Sequence, residues 1–160
     1  MAERLGLAVI PGVGWSASEV QAVAREAEGA GFDAIFAAEV NHDVMVTAQL
    51  MGAATQRIAV GTWIANIYLR HSYVCAQGAA LIADATDGRF VLGLGVSHRP
   101  SMADALGLDM GQPLDVMREY VAVLRAALGG AVEHAGARYR VRWRSGLLRL
   151  AGPDPPVEDV

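Results

Sequence analysis

Two segments of the sequence pass from an apolar, strand-like run into small or polar residues that could contact a ligand. Arg57–Ser72 reads RIAVGTWIANIYLRHS, and Gly88–Ser97 reads GRFVLGLGVS. Each segment follows a stretch with the pattern of a helix. Parallel α/β proteins bind ligands at the carboxyl ends of their strands, so these two strand ends are the first candidates for a binding site.

The end of the second segment combines glycine with a hydroxyl group. Gly93 and Gly95 would let the backbone approach a ligand closely, and Ser97 could hydrogen-bond to a phosphate or another polar group of that ligand. The alternative is an ordinary strand end. The run is not a dinucleotide-binding fingerprint, because Gly95 is followed by Val-Ser-His and no third glycine opens a helix.

Strand-like and helix-like segments alternate along the chain and predict the scaffold for these two ends. The predicted strands are Leu5–Ile10, Asp33–Ala38, Arg57–Ile64 and Arg89–Leu94. The predicted helices begin at the Ser16 capping box, at Asp43, at Ser72 and at Pro113. Four such βα units in series predict a parallel sheet with right-handed crossovers.

The pattern changes after the fourth helix. Val132–Leu150 alternates charged and apolar residues, which predicts a half-exposed β-hairpin, with Ser145-Gly146 as its turn. We therefore expect three regions: four βα units over 1–130, a hairpin insertion over 131–151, and a connector over 152–160 that leads to a missing fifth strand.

Composition and charge exclude several classes of protein. The net charge of -4 and the pI near 5.5 argue against nucleic-acid binding, and no apolar run approaches the roughly 20 residues that span a membrane. A single cysteine, Cys75, allows no internal disulfide, which fits a cytoplasmic location. The four histidines and this cysteine lack the spacing of a metal site, so we expect no metal.

Four motifs, in this order along the chain, resemble the luciferase-like monooxygenase superfamily, and within it the branch of oxidoreductases that use the deazaflavin coenzyme F-420. The motifs are GFDAIF at Gly31–Phe36, ATQRIAVGT at Ala54–Thr62, the NxYxRH-S run at Asn66–Ser72, and GRFVLGLGVS at Gly88–Ser97. The resemblance extends from about Leu5 to Pro156. The order of four motifs is more specific than any one of them.

The resemblance implies a TIM-type barrel with a flavin or deazaflavin at the carboxyl ends of its strands. Such a (β/α)8 barrel has eight strands and roughly 250 residues, whereas this chain supplies four predicted parallel strands. The expected fold is therefore α/β: the N-terminal half of a TIM-type (β/α)8 barrel, with four parallel βα units followed by a β-hairpin.

The resemblance also implies the residues that would bind F-420 or FMN. Ile64, Ala65 and Asn66 correspond to a bulge behind the isoalloxazine ring, often with a non-prolyl cis peptide bond. Gly95, Val96 and Ser97 end the fourth strand beside it. Arg70 could balance the charge of a cofactor or phosphate, or it could face solvent.

Glu39 and His42 are the catalytic candidates. The family has an acidic residue at the position of Glu39, often followed directly by a histidine that acts as acid or base or contacts the substrate. In this sequence Val40 follows Glu39, and His42 comes two residues later.

Two functions remain open at this point. The first is a luciferase-like oxidoreductase that carries out flavin- or deazaflavin-dependent hydride transfer or monooxygenation on a small organic substrate. The second is a catalytically inactive half-barrel that acts as an interaction or oligomerising module. In both cases the open sheet edges predict a homo-oligomer.

Overall fold

The computed structural model describes residues 4–12 and 14–144, in which strands and helices alternate. In chain order the elements are β1 (Gly6–Val9), α1 (Ala17–Gly29), β2 (Ala34–Ala37), α2 (Val44–Ala54), β3 (Ala59–Thr62), β4 (Ala65–Asn66), α3 (Ser72–Ala85), β5 (Phe90–Val91), β6 (Leu94–Gly95), a π-helix (Pro100–Ala105), α4 (Pro113–Leu128), β7 (Ala131–Ala135) and β8 (Arg140–Arg144). None of the helices within these residues is long and apolar enough to cross a membrane.

The main sheet is parallel, and its strands follow the order β1-β2-β3-β5. One row across it joins Ala8, Phe36, Gly61 and Val91. A second, two-stranded parallel sheet pairs β4 with β6. The predicted α/β fold with a parallel sheet is therefore confirmed. The third predicted strand ends early, at Thr62, and the separate strand β4 follows it, while the fourth predicted strand is divided between β5 and β6.

Thr62 lies at the break between the two sheets. Its hydroxyl donates to the Gly93 carbonyl at 2.8 Å and accepts the Gly93 N–H at 2.9 Å. This buried side chain thus takes over the hydrogen bonds of a strand pair where the backbone ladder is interrupted. A β-carbon on Gly93 would collide with the Thr62 carbonyl oxygen, so the close approach requires glycine.

Local capping explains where the helices begin. The Ser16 hydroxyl accepts the Glu19 N–H at 3.3 Å, and the Glu19 carboxylate accepts the Ser16 N–H at 2.7 Å, which completes the predicted capping box. The Asp43 carboxylate accepts the N–H groups of Met45 and Val46. His71 caps α3 through its ring nitrogen, which accepts the Tyr73 N–H.

The two faces of the main sheet differ in their surroundings. One face packs against α1 and α2, where Ile35, Val60 and Val44 are fully buried. The other face has small residues and the Phe36 ring, which lies close to Gly61. On that face Val91 is 46% exposed, and none of the described elements covers it.

A second core lies between α3, α4 and the hairpin, and includes Cys75, Tyr120 and Val132. The hairpin pairs β7 with β8 in antiparallel register, as the alternation of residues predicts. Its turn lies at 136–139, whereas the predicted turn at Ser145-Gly146 falls beyond the last described residue. Residues 145–160 lie outside the described residues, and the three-region division stays a prediction.

The contact between the end of α1 and the segment before β3 should depend on one carboxylate, that of Glu28. Glu28 Oε1 accepts the N–H groups of Gln56, Arg57 and Ile58 at 2.9, 2.6 and 3.3 Å. Burial raises the pKa of Glu28, but these donors and the Arg57 charge outweigh that effect and lower it. Glu28→Gln should therefore reduce the free energy of unfolding at neutral pH by about 1 kcal/mol.

The pH dependence of this difference follows from the lowered pKa. Glu28 contributes fully to the free energy of unfolding when the pH is above its pKa in the unfolded chain, about 4.3. This contribution is lost as the pH falls through the lower pKa of Glu28 in the folded protein. Urea unfolding at a series of pH values should show the two proteins converging in acid. Glu26→Gln, an exposed residue of the same helix, should have little effect, and an equal loss in both variants would refute the assignment.

Candidate functional site

The two predicted cofactor segments lie side by side at the carboxyl end of the strands. Ala65 pairs with Leu94, and Asn66 pairs with Gly95. The Ala65 N–H donates to the Gly93 carbonyl at 2.7 Å, and the Ile67 N–H donates to the Gly95 carbonyl at 3.0 Å. The β4–β6 pair therefore brings together segments that are separated by about thirty residues of sequence.

An apolar wall precedes this pair. The peptide bond between Trp63 and Ile64 is cis, as the family resemblance implies for this bulge. Trp63 is 65% exposed, whereas Ile64 is half-buried. A β-carbon on Gly95 would collide with the Ile64 side chain, so packing against Ile64 is sufficient to require glycine at position 95.

Asn66 is buried and uses its side chain within the protein. Its amide nitrogen donates to the Met102 sulfur at 2.9 Å, and its amide oxygen accepts the Tyr68 N–H at 2.9 Å. Only 2% of the residue is exposed. Asn66 thus ties the strand end both to the following loop and to the π-helix, two contacts for which the sequence held no signal.

A buried ion pair joins the end of β2 to the loop before α3. Arg70 Nη1 donates to Glu39 Oε2 at 2.7 Å, and Arg70 Nη2 donates to Glu39 Oε1. The Arg70 and Glu39 side chains are only 11% and 8% exposed. The Asp43 carboxylate accepts from the same guanidinium at 3.3 Å.

Glu39 also fixes the backbone of the candidate site. Its Oε2 accepts the Asn66 N–H at 2.6 Å, so one carboxylate binds both Arg70 and the backbone of β4. Burial lowers the pKa of Arg70, but the hydrogen bonds and charge of Glu39, with a smaller contribution from Asp43, outweigh it and raise that pKa. The predicted catalytic residue and the predicted cofactor cation are therefore partners of each other.

The remaining predicted residues surround this network. His42 is half-buried and directly precedes Asp43, the N-cap of α2. Val96 packs against the core between α3 and α4. Ser97 is half-buried and has a positive φ of 57°. Within the described residues, no group of three or more His, Cys, Asp or Glu side chains could hold a metal ion.

Comparison with known proteins decides the family. A family model for luciferase-like monooxygenases matches residues 5–157. The chain belongs to this family. The match includes both strand ends and the hairpin.

Proteins with similar sequences support this assignment to the family. The chain is 35% identical over 118 residues to a Mycobacterium tuberculosis protein described as a coenzyme F-420-dependent oxidoreductase, covering 72% of this chain and 34% of the relative. It is 32% identical over 109 residues to 5,10-methylenetetrahydromethanopterin reductase of Methanolobus tindarius, covering 67% of this chain and 33% of the relative. The chain thus spans about a third of the length of these luciferase-like relatives.

Solved structures share the fold. The F-420-dependent tetrahydromethanopterin reductase of Methanopyrus kandleri superimposes with a TM-score of 0.76 at 22% identity, over 86% of this chain and 44% of that one. The oxygenating constituent of 3,6-diketocamphane monooxygenase of Pseudomonas putida, solved with FMN, gives 0.78 at 17% identity, over 91% and 44%. At these identities the likeness shows the fold alone.

The Glu39–Arg70 pair should be strongly coupled. Removing one partner leaves the other charge buried, so Glu39→Leu or Arg70→Met should each cost about 3–5 kcal/mol of unfolding free energy. The double variant should lose clearly less than the sum of the two. A double-mutant cycle measured by denaturant unfolding gives this coupling.

The exposed Asp115–Arg118 pair on α4 provides a matched control. Its side chains are 68% and 74% exposed at an N–O distance of 2.7 Å, so the same cycle should give a coupling of about 0.5 kcal/mol or less. Equal couplings for the two pairs would contradict the structural role of the buried pair.

Proposed function

We propose that this chain binds the deazaflavin F-420 or FMN at the carboxyl end of β4 and β6, and contributes that cofactor site to an oxidoreductase acting on a small organic substrate. The observation that carries the proposal is the register that sets Asn66 beside Gly95. It joins the two segments that the family resemblance implies for the cofactor. Relatives described as F-420-dependent, and a structural neighbour solved with FMN, support the choice of cofactor.

The residues at this edge fit a planar tricyclic ring. Trp63 and Ile64 provide an apolar wall, and Trp63 is largely exposed. Ala65 and Gly95 keep the adjoining backbone free of bulky side chains, which permits close approach of a ring. The half-buried Ser97 hydroxyl is available for a polar tail.

When bound, such a cofactor supplies the hydride donor or acceptor, so the protein needs few acids and bases of its own. In this proposal the backbone of Ile64–Asn66 holds the ring, and the Glu39–Arg70 pair fixes that backbone. Because the Arg70 charge is already neutralised, a cofactor phosphate would need another cation. Arg99 is exposed in the loop after β6 and is the candidate. His42 is the candidate for proton transfer.

Cofactor binding is testable by fluorescence. Titration of the purified chain with F-420 and, separately, with FMN should quench the fluorescence of one of them saturably. Trp63→Ala should weaken that binding about tenfold, because an aromatic wall residue contributes roughly 1–1.5 kcal/mol. Leu81→Ala serves as control, since Leu81 is 67% exposed on α3 and should leave the affinity unchanged.

Two results would count against the proposal. A folded protein that binds neither cofactor would refute it. Unchanged affinity in Trp63→Ala, with binding otherwise intact, would refute the placement of the ring beside Trp63.

A second candidate function, self-association, is favoured by the uncovered face of the main sheet. Among the described residues β1 and β5 are the outer strands of that sheet, and Ile10 and Val91 are 67% and 46% exposed. Open parallel edges with an apolar face favour association. We propose that the chain is half of a TIM-type barrel and that two copies close one eight-stranded assembly about a two-fold axis.

Light scattering after size-exclusion chromatography should then give the mass of a dimer. Val91→Glu should shift the protein to monomer, because it places a charge on the open face. Val74→Glu, on α3 with Val74 57% exposed, should leave the dimer intact. A wild-type monomer at concentrations of tens of micromolar would rule out the closed dimer.

A further inference from the structure

Glu119, on α4, is remote from the candidate site in sequence and holds the turn of the hairpin. Its carboxylate accepts the N–H groups of Ala137 at 2.9 Å, Arg138 at 3.1 Å and Tyr139 at 3.1 Å. His134 Nε2 lies 3.3 Å from the same carboxylate. The hydrogen bond from the Tyr139 backbone is the main cause of the lowered pKa of Glu119, so the group is ionised at neutral pH.

The turn is shaped to receive this carboxylate. A β-carbon on Gly136 would collide with Glu119 and approach the His134 ring. Three successive backbone N–H groups directed at one carboxylate form an anion-binding concavity. The hairpin turn therefore depends on a contact with α4 as well as on its own sequence.

Arg138, in that turn, reaches the loop of the candidate site. Its guanidinium donates to the Asp109 carboxylate at 3.0 Å and to the Asp109 carbonyl. It also lies 6.0 Å above the centre of the Tyr68 ring, within the range of a cation–π contact. The Tyr68 hydroxyl donates to the Met110 carbonyl at 2.8 Å. Tyr68 is thus held by the hairpin and by the segment before α4.

Tyr68 also contacts a residue of the candidate site, Asn66. Its backbone N–H donates to the Asn66 amide oxygen at 2.9 Å, and Asn66 pairs with Gly95. Two aromatic contacts strengthen the docking of the hairpin on the start of α3. Tyr139 meets His71 edge-on at 5.3 Å, and Trp143 meets Tyr73 at 5.8 Å.

We propose that Glu119 is a positioning residue for the candidate cofactor site: it fixes the hairpin turn so that Arg138 holds Tyr68, and Tyr68 in turn fixes the Asn66 side chain. The hairpin thereby restrains the loop behind the proposed cofactor site. The brace is this series of contacts, which runs from Glu119 through Arg138 and Tyr68 to Asn66. The positioning of Tyr68 and Asn66 by Glu119 involves only contacts within the chain. Its consequence for ligand affinity rests on the proposed function.

The test compares Glu119→Gln with the wild type by amide NMR and hydrogen exchange, without any cofactor. The variant should shift the Tyr68 and Asn66 amide resonances and speed exchange of the Tyr68 N–H at least tenfold. Amides in α1 and β1 should stay unchanged. Glu133→Gln is the matched control, because Glu133 lies on the same hairpin, is 76% exposed and reaches Arg142 only at 4.0 Å.

A second variant separates the brace from the general stability of the hairpin. Arg138→Met keeps the backbone N–H groups that bind Glu119 but removes the contacts with Asp109 and Tyr68. It should reproduce the changes at Tyr68 and Asn66 while leaving the turn amides protected, even if Glu119→Gln unfolds the protein. Changes confined to 136–139 in the first variant, or an unaffected Tyr68 in the second, would overturn the proposal.

The cofactor titration forms a separate arm. If F-420 or FMN binds, Glu119→Gln should raise its dissociation constant several-fold while Glu133→Gln leaves it unchanged. Altered Tyr68 exchange with no binding of either cofactor would retain the brace and refute the proposed function. Binding that is equally tight in both variants would refute the link between Glu119 and the cofactor site.

Discussion

A buried carboxylate joins three parts of the chain at the edge where the strands end. Glu39, at the end of β2, binds the Arg70 guanidinium and the Asn66 N–H at the same time. A buried charge without a partner is costly, so neither side chain can leave without the other. The pair thus ties the start of the β4 segment to the end of β2, and Asn66, which Glu39 holds by its N–H, contacts Tyr68 and Met102 in turn.

The same arrangement changes the chemical role of Glu39. A carboxylate whose oxygens already accept hydrogen bonds from a guanidinium and a backbone N–H suits a structural tie better than proton transfer. The family resemblance implies a histidine at the next position, where this chain has Val40. Under the proposed function, proton transfer at this edge is therefore assigned to His42 and not to Glu39.

Local signals in the sequence predicted most of the scaffold. The capping residues Ser16 and Asp43 could be identified from the sequence because a cap contacts N–H groups only two or three residues further along the chain. Apolar runs located the strands. The early end of β3 at Thr62 left no such signal, since Arg57–Ile64 reads as one apolar run. The contact found at this break, between the Thr62 hydroxyl and Gly93, joins residues 31 positions apart. The turn at 136–139 left no signal for the same reason, because the Glu119 carboxylate that accepts its N–H groups is on another element.

The family resemblance located the candidate site, but it could not give the contacts that shape it. Gly95 illustrates the difference. A glycine at a strand end suggests room for a ligand, whereas here its missing β-carbon first makes room for Ile64. The two explanations are compatible, because a side chain packed over Gly95 is held in place and can present its other side to a ring. Under the proposed function, Gly95 would thus act on the ring indirectly, because it fixes the Ile64 side chain and does not itself leave a gap.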